Sequence, residues 1–109
     1  MTQRVYCIAQ FEPKPGKLEE LFRVLQALEP DTLREEGCIQ YRITRHIPSP
    51  FAEGTSFPLV FNEIWADMAV FEAHCQKPYI QRFFEEQCIS ADGLVAQWNV
   101  CVYSDELPA

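Results

Sequence analysis

"LVFNEIWADMAVFEAHC", residues 59–75, changes from a strand pattern to a helix pattern within a few positions. Its first seven residues are rich in β-branched and aromatic side chains, which predicts a β-strand. Asp67 then stands at a helix N-cap position, where its carboxylate can accept a hydrogen bond from a free backbone N–H. The residues that follow at helical spacing on one face are Val70, Phe71, His74 and Cys75. We therefore expect a strand that leads into a helix with His74 on the buried side.

The preceding residues predict two strands and a helix. "RVYCIAQF", residues 4–11, has strand composition and is stopped by the prolines and glycine of "EPKPG". From Lys17, apolar residues recur every three or four positions, as on an amphipathic helix. Pro30 should end or kink this helix, although a short restart is possible because proline suits a first helical turn. "CIQYRITRHI", residues 38–47, alternates apolar and polar residues and predicts a half-buried strand.

The C-terminal part predicts one more helix and one more strand. After Pro78 the helical pattern resumes with Ile80, Phe83 and Phe84, and Gly93 precedes a last strand at 94–103. The order β-α-β-β-α-β predicts a ferredoxin-like α+β fold, a four-stranded antiparallel sheet with helices on one face. We expect a single domain, residues 1–109, with a loose tail at 103–109.

The hairpin between the second and third predicted strands has a long tip. Residues 48–58 contain three prolines and a glycine and carry Phe51 and Phe57. Long loops without secondary structure are often functional, and this one is either a lid over a pocket or an arm that reaches another subunit.

Composition excludes several classes of protein. The 109 residues carry a net charge of −7 with no basic stripe, so neither nucleic acid nor an anionic membrane is an expected partner. No apolar run is long enough for a signal peptide or a membrane span, so a cytoplasmic protein is expected. The five cysteines are at least 13 positions apart, which indicates neither a disulfide framework nor a metal site. We expect them to be reduced and mostly buried.

The third and last predicted strands carry apolar residues on both faces. Two helices cover only one face of a sheet, and a large exposed apolar patch usually marks an interface. The pattern therefore predicts a homodimer with its sheets packed face to face.

Four short motifs occur in a characteristic order. They are Pro15-Gly16-Lys17, the Glu-x-Gly-Cys-x-x-Tyr of Glu35, Gly37, Cys38 and Tyr41, the Glu-x-Trp of Glu63 and Trp65, and Ala73-His74. In these motifs the chain resembles the antibiotic biosynthesis monooxygenase family of dimeric α+β barrels, which includes quinol monooxygenases. The resemblance covers nearly the whole chain.

The resemblance implies a cytoplasmic homodimer, or a dimer of dimers, with a small apolar cavity between each sheet and its helices. Many members of the family oxygenate electron-rich aromatic molecules with O2 and use no metal, flavin or haem. The predicted function is therefore a cofactor-independent monooxygenase of a small aromatic or quinol-type substrate. Haem is disfavoured because "CIAQF" in the first strand lacks the asparagine on which the haem-degrading branch relies.

A quinol needs a base, donors for the phenolate and an apolar box. His74 is the candidate base, and Glu63 is a second acid or base that can also pair with Arg42 or orient His74. Tyr41 and Asn62 are candidate donors, although Asn62 and Trp65 are three positions apart and face opposite sides of a regular strand. The candidate walls are Trp65, Phe71, Phe83 and Trp98. Arg82 is a candidate anchor for an anionic group, although an exposed helix arginine is the commoner meaning.

Two other functions stay open. The first is a non-catalytic dimer that binds a small apolar ligand, in which His74 is a core histidine and both tryptophans serve packing. The second is an oxygen-independent isomerase or lyase with His74 and Glu63 as acid and base.

Overall fold

A computed structural model describes residues 3–108. The strands are β1 (Val5–Pro13), β2 (Cys38–Arg45), β3 (Leu59–Trp65) and β4 (Val95–Tyr103). The helices are α1 (Leu18–Gln26), α2 (Glu29–Leu33), α3 (Met68–Cys75) and α4 (Pro78–Phe83), and α4 continues into a π-helical segment, Phe84–Ile89. The second helix of the predicted β-α-β-β-α-β order is thus divided into two helices. These are α3 and, after a turn before Pro78, α4 with its π-helical extension.

The four strands form one antiparallel sheet in the order β2-β3-β1-β4. The predicted ferredoxin-like α+β fold is confirmed. The register shifts between Cys38 and Gln40 on β2 and between Glu12 and Pro13 on β1. Because side chains alternate between faces, such a shift changes which residues of the two paired strands share a face.

The helices cover one face of the sheet. The odd-numbered residues of β1 from Val5 to Phe11 and those of β3 point towards the helices and are buried, and they include Phe11, Phe61 and Trp65. From α1, Leu21 and Leu25 complete this core and are fully buried. Aromatic rings meet here edge to face, as for Phe11 and Phe83 with centroids 5.7 Å apart.

The restart at Pro30 is confirmed, because α1 ends at Gln26 and α2 has proline in its first turn. Glu29, the first residue of α2, accepts a hydrogen bond of 2.8 Å from the backbone N–H of Ile43 on edge strand β2. The helix therefore satisfies a donor that an edge strand would otherwise leave free.

Gly37 sets the distance between β2 and α3. Its φ of +83° is in the left-handed region, and a Cβ at this position would lie 2.7 Å from the Val70 side chain. The helix itself begins as predicted, since Asp67 Oδ1 accepts from Val70 N at 2.9 Å. Together these contacts place α3 directly beside the chain that precedes β2.

The other face of the sheet is not covered by the described helices. It carries half-buried Ile8, Val60 and Ile64 between polar residues. Val95 and Trp98 are three positions apart, so on a regular strand they would face opposite sides of the sheet. Both lie on the helix side because the β1–β4 register shift falls between them. Among the helices of residues 3–108, none has the length and apolar character that a membrane crossing requires.

The prediction that the cysteines are mostly buried is wrong. Only Cys7, on the central strand β1, is buried, whereas Cys75 is exposed and the other three are intermediate. The hairpin tip leaves Phe51 almost fully exposed. Beyond Tyr103 the chain is exposed up to residue 108, where Asp105 accepts a hydrogen bond of 2.9 Å from Tyr6; residue 109 lies outside the described residues.

Candidate active site

A cavity of about 70 Å³ lies between the sheet and α3 and α4. Its walls are apolar and aromatic, with Tyr41, Phe61, Phe71 and Phe83 among them, and its polar groups are His74 and Glu63. Val100 on β4 also lines it and is 42% exposed, so the cavity opens at the β4 edge of the sheet. Within the described chain, no three side chains of His, Cys, Asp or Glu converge closely enough to hold a metal ion.

His74 is buried against two aromatic rings. Its imidazole is tilted over Trp65 at a centroid distance of 4.6 Å and meets the edge of Tyr41 at 5.4 Å. Nδ1 lies 3.0 Å from Oε2 and 3.2 Å from Oε1 of Glu35, and in residues 3–108 Nε2 has no hydrogen-bond partner. Since no buried side-chain nitrogen in that range lacks a partner, Nε2 keeps some accessible surface, and His74 is among the residues that line the cavity.

Two opposing effects act on the pKa of His74. Burial lowers it from 6.5, and the hydrogen bond and charge of Glu35 raise it, with burial the larger effect. The pKa therefore lies below its ordinary value, and the imidazole is neutral at pH 7. The contact with Glu35 is then a hydrogen bond from a neutral ring to a carboxylate.

Glu35 has a second partner in α4. The Tyr79 hydroxyl donates to Glu35 Oε2, and Thr32 Oγ1 lies 2.9 Å from the same hydroxyl. Thr32 is fully buried, and burial and the carboxylate of Glu35 raise the pKa of Tyr79. The chain of polar groups thus runs from α2 through α4 to the imidazole on α3.

Glu63 is a buried carboxyl on β3 in the wall of the cavity. Its Oε1 accepts a hydrogen bond of 2.9 Å from Trp65 Nε1, two residues along the same face. Burial raises the pKa of Glu63 to about 7, against the opposing effects of Trp65 and of the Cys7 thiol on the neighbouring strand. At neutral pH this group can therefore either give or accept a proton.

Tyr41 lies on β2 with its ring stacked on Phe61 at 4.3 Å. Burial raises its pKa well above 10, so its hydroxyl remains protonated and can serve as a donor. The structure thus brings Tyr41, Glu63, Phe71, Phe83 and His74 together on the cavity. Trp65, a predicted wall, does not line the cavity; its ring packs against the imidazole of His74.

Three predicted site residues lie elsewhere. Asn62 is on the uncovered face of β3, where its amide donates to Thr44 at 3.0 Å. Arg82 is exposed on α4 and does not line the cavity. Trp98 faces the helix side, but it is 42% exposed and lies beyond Val100 at the rim.

The predicted partners of Glu63 are also wrong. Arg42 is paired with Asn62 and is therefore on the opposite face of the sheet from Glu63. The imidazole of His74 contacts Glu35 instead, and Glu63 accepts a hydrogen bond from Trp65.

Sequence reasoning gave no role to Glu35, Tyr79 or Thr32. Glu35 was part of the Glu-x-Gly-Cys motif, which was a usable signal. Tyr79 and Thr32 lie in helices where a single tyrosine or threonine carries no pattern, and only their meeting in space identifies them.

The chain matches a known protein family and an uncharacterised relative. A family model described as antibiotic biosynthesis monooxygenase matches residues 4–86. An uncharacterised protein of Synechocystis sp., sll1783, is 31% identical over 90 residues, which cover 83% of this chain and 55% of that protein. The chain thus spans about half the length of this curated relative.

Solved structures are similar to this chain over nearly its whole length. Protein SO0527 from Shewanella oneidensis is 34% identical, with a TM-score of 0.77 over 96% of this chain and 93% of that one. A structure named antibiotic biosynthesis monooxygenase is 25% identical, with a TM-score of 0.71 over 95% of this chain and 99% of that one. With the family model covering most of its length, this chain belongs to the antibiotic biosynthesis monooxygenase family.

Proposed function

We propose that this protein is a cofactor-independent monooxygenase that oxidises a small aromatic, quinol-type substrate with O2. The observation that carries the proposal is His74, which lines an aromatic-walled cavity while its Nδ1 is hydrogen-bonded to Glu35 and its Nε2 keeps accessible surface. A neutral imidazole in this position is a general base for a phenolic hydroxyl.

The chemistry needs no external reductant. Loss of a phenolic proton to His74 makes the ring electron-rich enough to pass electrons to O2. One hydroquinone and one O2 then give one hydroxyquinone and one water, so the substrate supplies both electrons that reduce the second oxygen atom. Tyr41, which lines the cavity, is the proposed hydrogen-bond donor to an oxyanion, and the apolar walls would exclude competing water.

The cavity favours a neutral, single-ring substrate. Its volume of about 70 Å³ is smaller than the roughly 150 Å³ of a protein cavity known to hold benzene, so even a single ring requires the cavity to expand. Glu63 adds negative charge at neutral pH, and no lysine or arginine of the described chain lines the cavity. An anionic group on the ring would be buried without a cation beside it. Burying an unpaired charge costs on the order of several kcal/mol.

We also propose that the protein acts as a homodimer. Support comes from the uncovered sheet face, where Ile8, Val60 and Ile64 are only half-buried in a single chain. Packing two such faces together buries these residues in a symmetric contact.

The test is O2 consumption over a panel of hydroquinones, anthrones and flavonols, in the presence of a metal chelator. We expect uptake by the wild type and a loss of about 10²–10⁴-fold in kcat for His74→Gln, the usual contribution of a general base. His46→Gln is the matched control, because His46 is exposed in the hairpin and should leave the rate unchanged. Absence of uptake by wild-type protein with every substrate would contradict the proposal.

One observation favours a second candidate function. Glu63, with a pKa of about 7, and His74 line the same cavity, as an acid and a base would in an isomerase or lyase of a small carbonyl compound. Turnover under nitrogen that is lost in both Glu63→Gln and His74→Gln would support this function over oxygenation.

A further inference from the structure

Four side chains from separate parts of the chain form one hydrogen-bonded series. Thr32 is on α2, Tyr79 is on α4, Glu35 lies between α2 and β2, and His74 is on α3. The contacts are Thr32 Oγ1 to Tyr79 at 2.9 Å, Tyr79 to Glu35, and Glu35 to His74 Nδ1 at 3.0 Å. The Glu35 and His74 side chains at its end are 9% and 6% exposed, so bulk water barely competes for these bonds.

The chemistry of each group sets the direction of each proton. A glutamate carboxylate has only acceptor sites, so both Tyr79 and His74 must donate to Glu35. The Tyr79 proton is used in that bond, and the Thr32 hydroxyl is then the donor to the Tyr79 oxygen. His74 is thereby required to carry its proton on Nδ1.

We infer that Glu35 is the positioning residue of His74, and that Tyr79 and Thr32 hold Glu35 in place from the other side. The carboxylate selects the Nδ1–H tautomer of His74 and leaves the lone pair on Nε2 of a ring that lines the cavity. Without it, either ring nitrogen can carry the proton, because the tautomer is set by the hydrogen bond that the other nitrogen makes.

The catalytic consequence rests on the proposed function, but the tautomer does not. If His74 is the general base, the lone pair must be on the nitrogen that meets the substrate. A ring with its proton on Nε2 would be unable to accept a phenolic proton there. The tautomer can be measured on the resting protein with no substrate present.

The deciding experiment is long-range ¹H–¹⁵N correlation NMR of the full chain at pH 7.5. The chain contains two histidines, His46 and His74, so the ring signals are readily assigned with a His46→Gln variant. We expect His74 to show a protonated Nδ1 and an unprotonated Nε2, whereas exposed His46 averages over both tautomers. A His74 signal with the proton on Nε2 in the wild type would overturn the inference.

Substitutions test which residue selects the tautomer. Glu35→Met offers no acceptor, and Glu35→Gln offers one acceptor and one donor group, so both should shift His74 towards a mixture of tautomers. Glu36→Gln is the matched control on the adjacent, exposed carboxylate, and it should leave the His74 signals unchanged. An undisturbed Nδ1–H signal in Glu35→Met would assign the selection to something other than Glu35.

Tyr79→Phe and Thr32→Val probe the far end of the series. Each leaves the bond between Glu35 and His74 intact, so the tautomer should persist while the imidazole signals broaden or shift. Loss of the Nδ1–H tautomer in Tyr79→Phe would mean that Tyr79, and not Glu35 alone, determines it.

Kinetics distinguish a positioning role from a structural one. In Glu35→Gln we expect kcat for O2 uptake to fall about 10–100-fold with KM little changed. This loss is smaller than the roughly 10²–10⁴-fold rate increase that a general base supplies, because the base itself remains. The acidic limb of kcat/KM should also move to lower pH, because Glu35 raises the pKa of His74. If the tautomer is as expected but no substrate is oxidised, the proposed function fails and the positioning role remains. If oxidation occurs and Glu35→Gln changes neither kcat nor the pH profile, the positioning role fails.

Discussion

Trp65 donates a hydrogen bond of 2.9 Å from its indole N–H to Glu63, two residues earlier on the same face of β3. Trp65 is fully buried and Glu63 is 5% exposed. The indole therefore supplies a partner to a carboxyl that would otherwise be buried at a high cost. Its ring also packs against His74, so both candidate acid–base groups contact the Trp65 side chain.

Trp65→Phe should destabilise the protein. The change removes the donor to Glu63 and reduces packing beneath His74, so we expect a loss of about 2–4 kcal/mol in the free energy of unfolding. Urea unfolding at pH 8 measures it. Trp98→Phe is the control, because Trp98 is 42% exposed at the sheet edge and its loss should cost no more than about 0.5 kcal/mol. Equal losses in the two variants would show that the indole hydrogen bond contributes nothing.

Glu63→Gln should flatten the dependence of stability on pH. Burial raises the pKa of Glu63 from 4.5 to about 7 in the folded chain, so the folded state binds this proton more tightly. The linked stability is fully present below pH 4.5 and is lost as the pH rises through about 7. The loss amounts to about 3 kcal/mol.

Unfolding free energies from pH 4.5 to 8 check this prediction. Relative to wild type, Glu63→Gln should lack the decline, whereas the control Glu85→Gln, an exposed carboxylate, should follow the wild-type curve. Parallel curves for wild type and Glu63→Gln would contradict the raised pKa.

Ala9→Val should fill the cavity. Ala9 is a buried residue of β1 in the cavity wall, and two added methyl groups would occupy space that a ligand needs. We expect the Kd for hydroquinone, measured by calorimetry, to rise at least about tenfold, which is about 1.4 kcal/mol. Stability should change by less than about 1.5 kcal/mol. Ala96→Val on exposed β4 should change neither quantity, and unaltered binding in Ala9→Val would exclude this cavity as the ligand site.

Negative charge on the substrate should reduce turnover. At pH 8 we expect kcat/KM for 2,5-dihydroxybenzoate to be at least about tenfold below that for hydroquinone, because its carboxylate would be buried beside Glu63 without a cation. Arg82→Ala should leave both values unchanged, since Arg82 is exposed on α4 outside the cavity wall. A selective loss of dihydroxybenzoate turnover in Arg82→Ala would restore arginine as an anion anchor.

Ile64→Glu should separate the proposed dimer. Ile64 is half-buried on the uncovered sheet face, and a carboxylate there would be desolvated in a face-to-face contact. Sedimentation at micromolar concentration should give twice the 12.6 kDa chain mass for wild type and the chain mass for the variant. Gln26→Glu at the end of α1 is the control and should remain dimeric. A wild-type protein that sediments as a monomer would contradict the homodimer.

Local patterns were sufficient to predict the elements and the fold. The β-branched and aromatic composition of β3 and the Asp67 cap of α3 are properties of neighbouring residues, and both the strand and the cap are observed. They also placed His74 on the buried side, because helical spacing alone puts it in line with Val70 and Phe71.

Positions of side chains relative to other strands were predicted less well. Arg42 was considered as a partner of Glu63, but register pairs Arg42 with Asn62 and places both on the opposite face. The alternation of apolar and polar residues along the sequence does not reveal the register shifts on β2 and between β1 and β4. Ile39, at the first shift, is exposed, and Val95, beyond the second, shares a face with Trp98. A shift of one residue reverses which face a side chain occupies.

The order of strands and helices, the cap of α3 and the inward direction of His74 follow from the sequence, because each depends on residues a few positions apart. Which acid meets His74 follows only from the tertiary structure. Glu35 is 39 positions from His74, and Tyr79 is 44 positions from Glu35. Their meeting depends on how α3 packs against the turn at Gly37, and this packing is determined by contacts through space that no local period encodes.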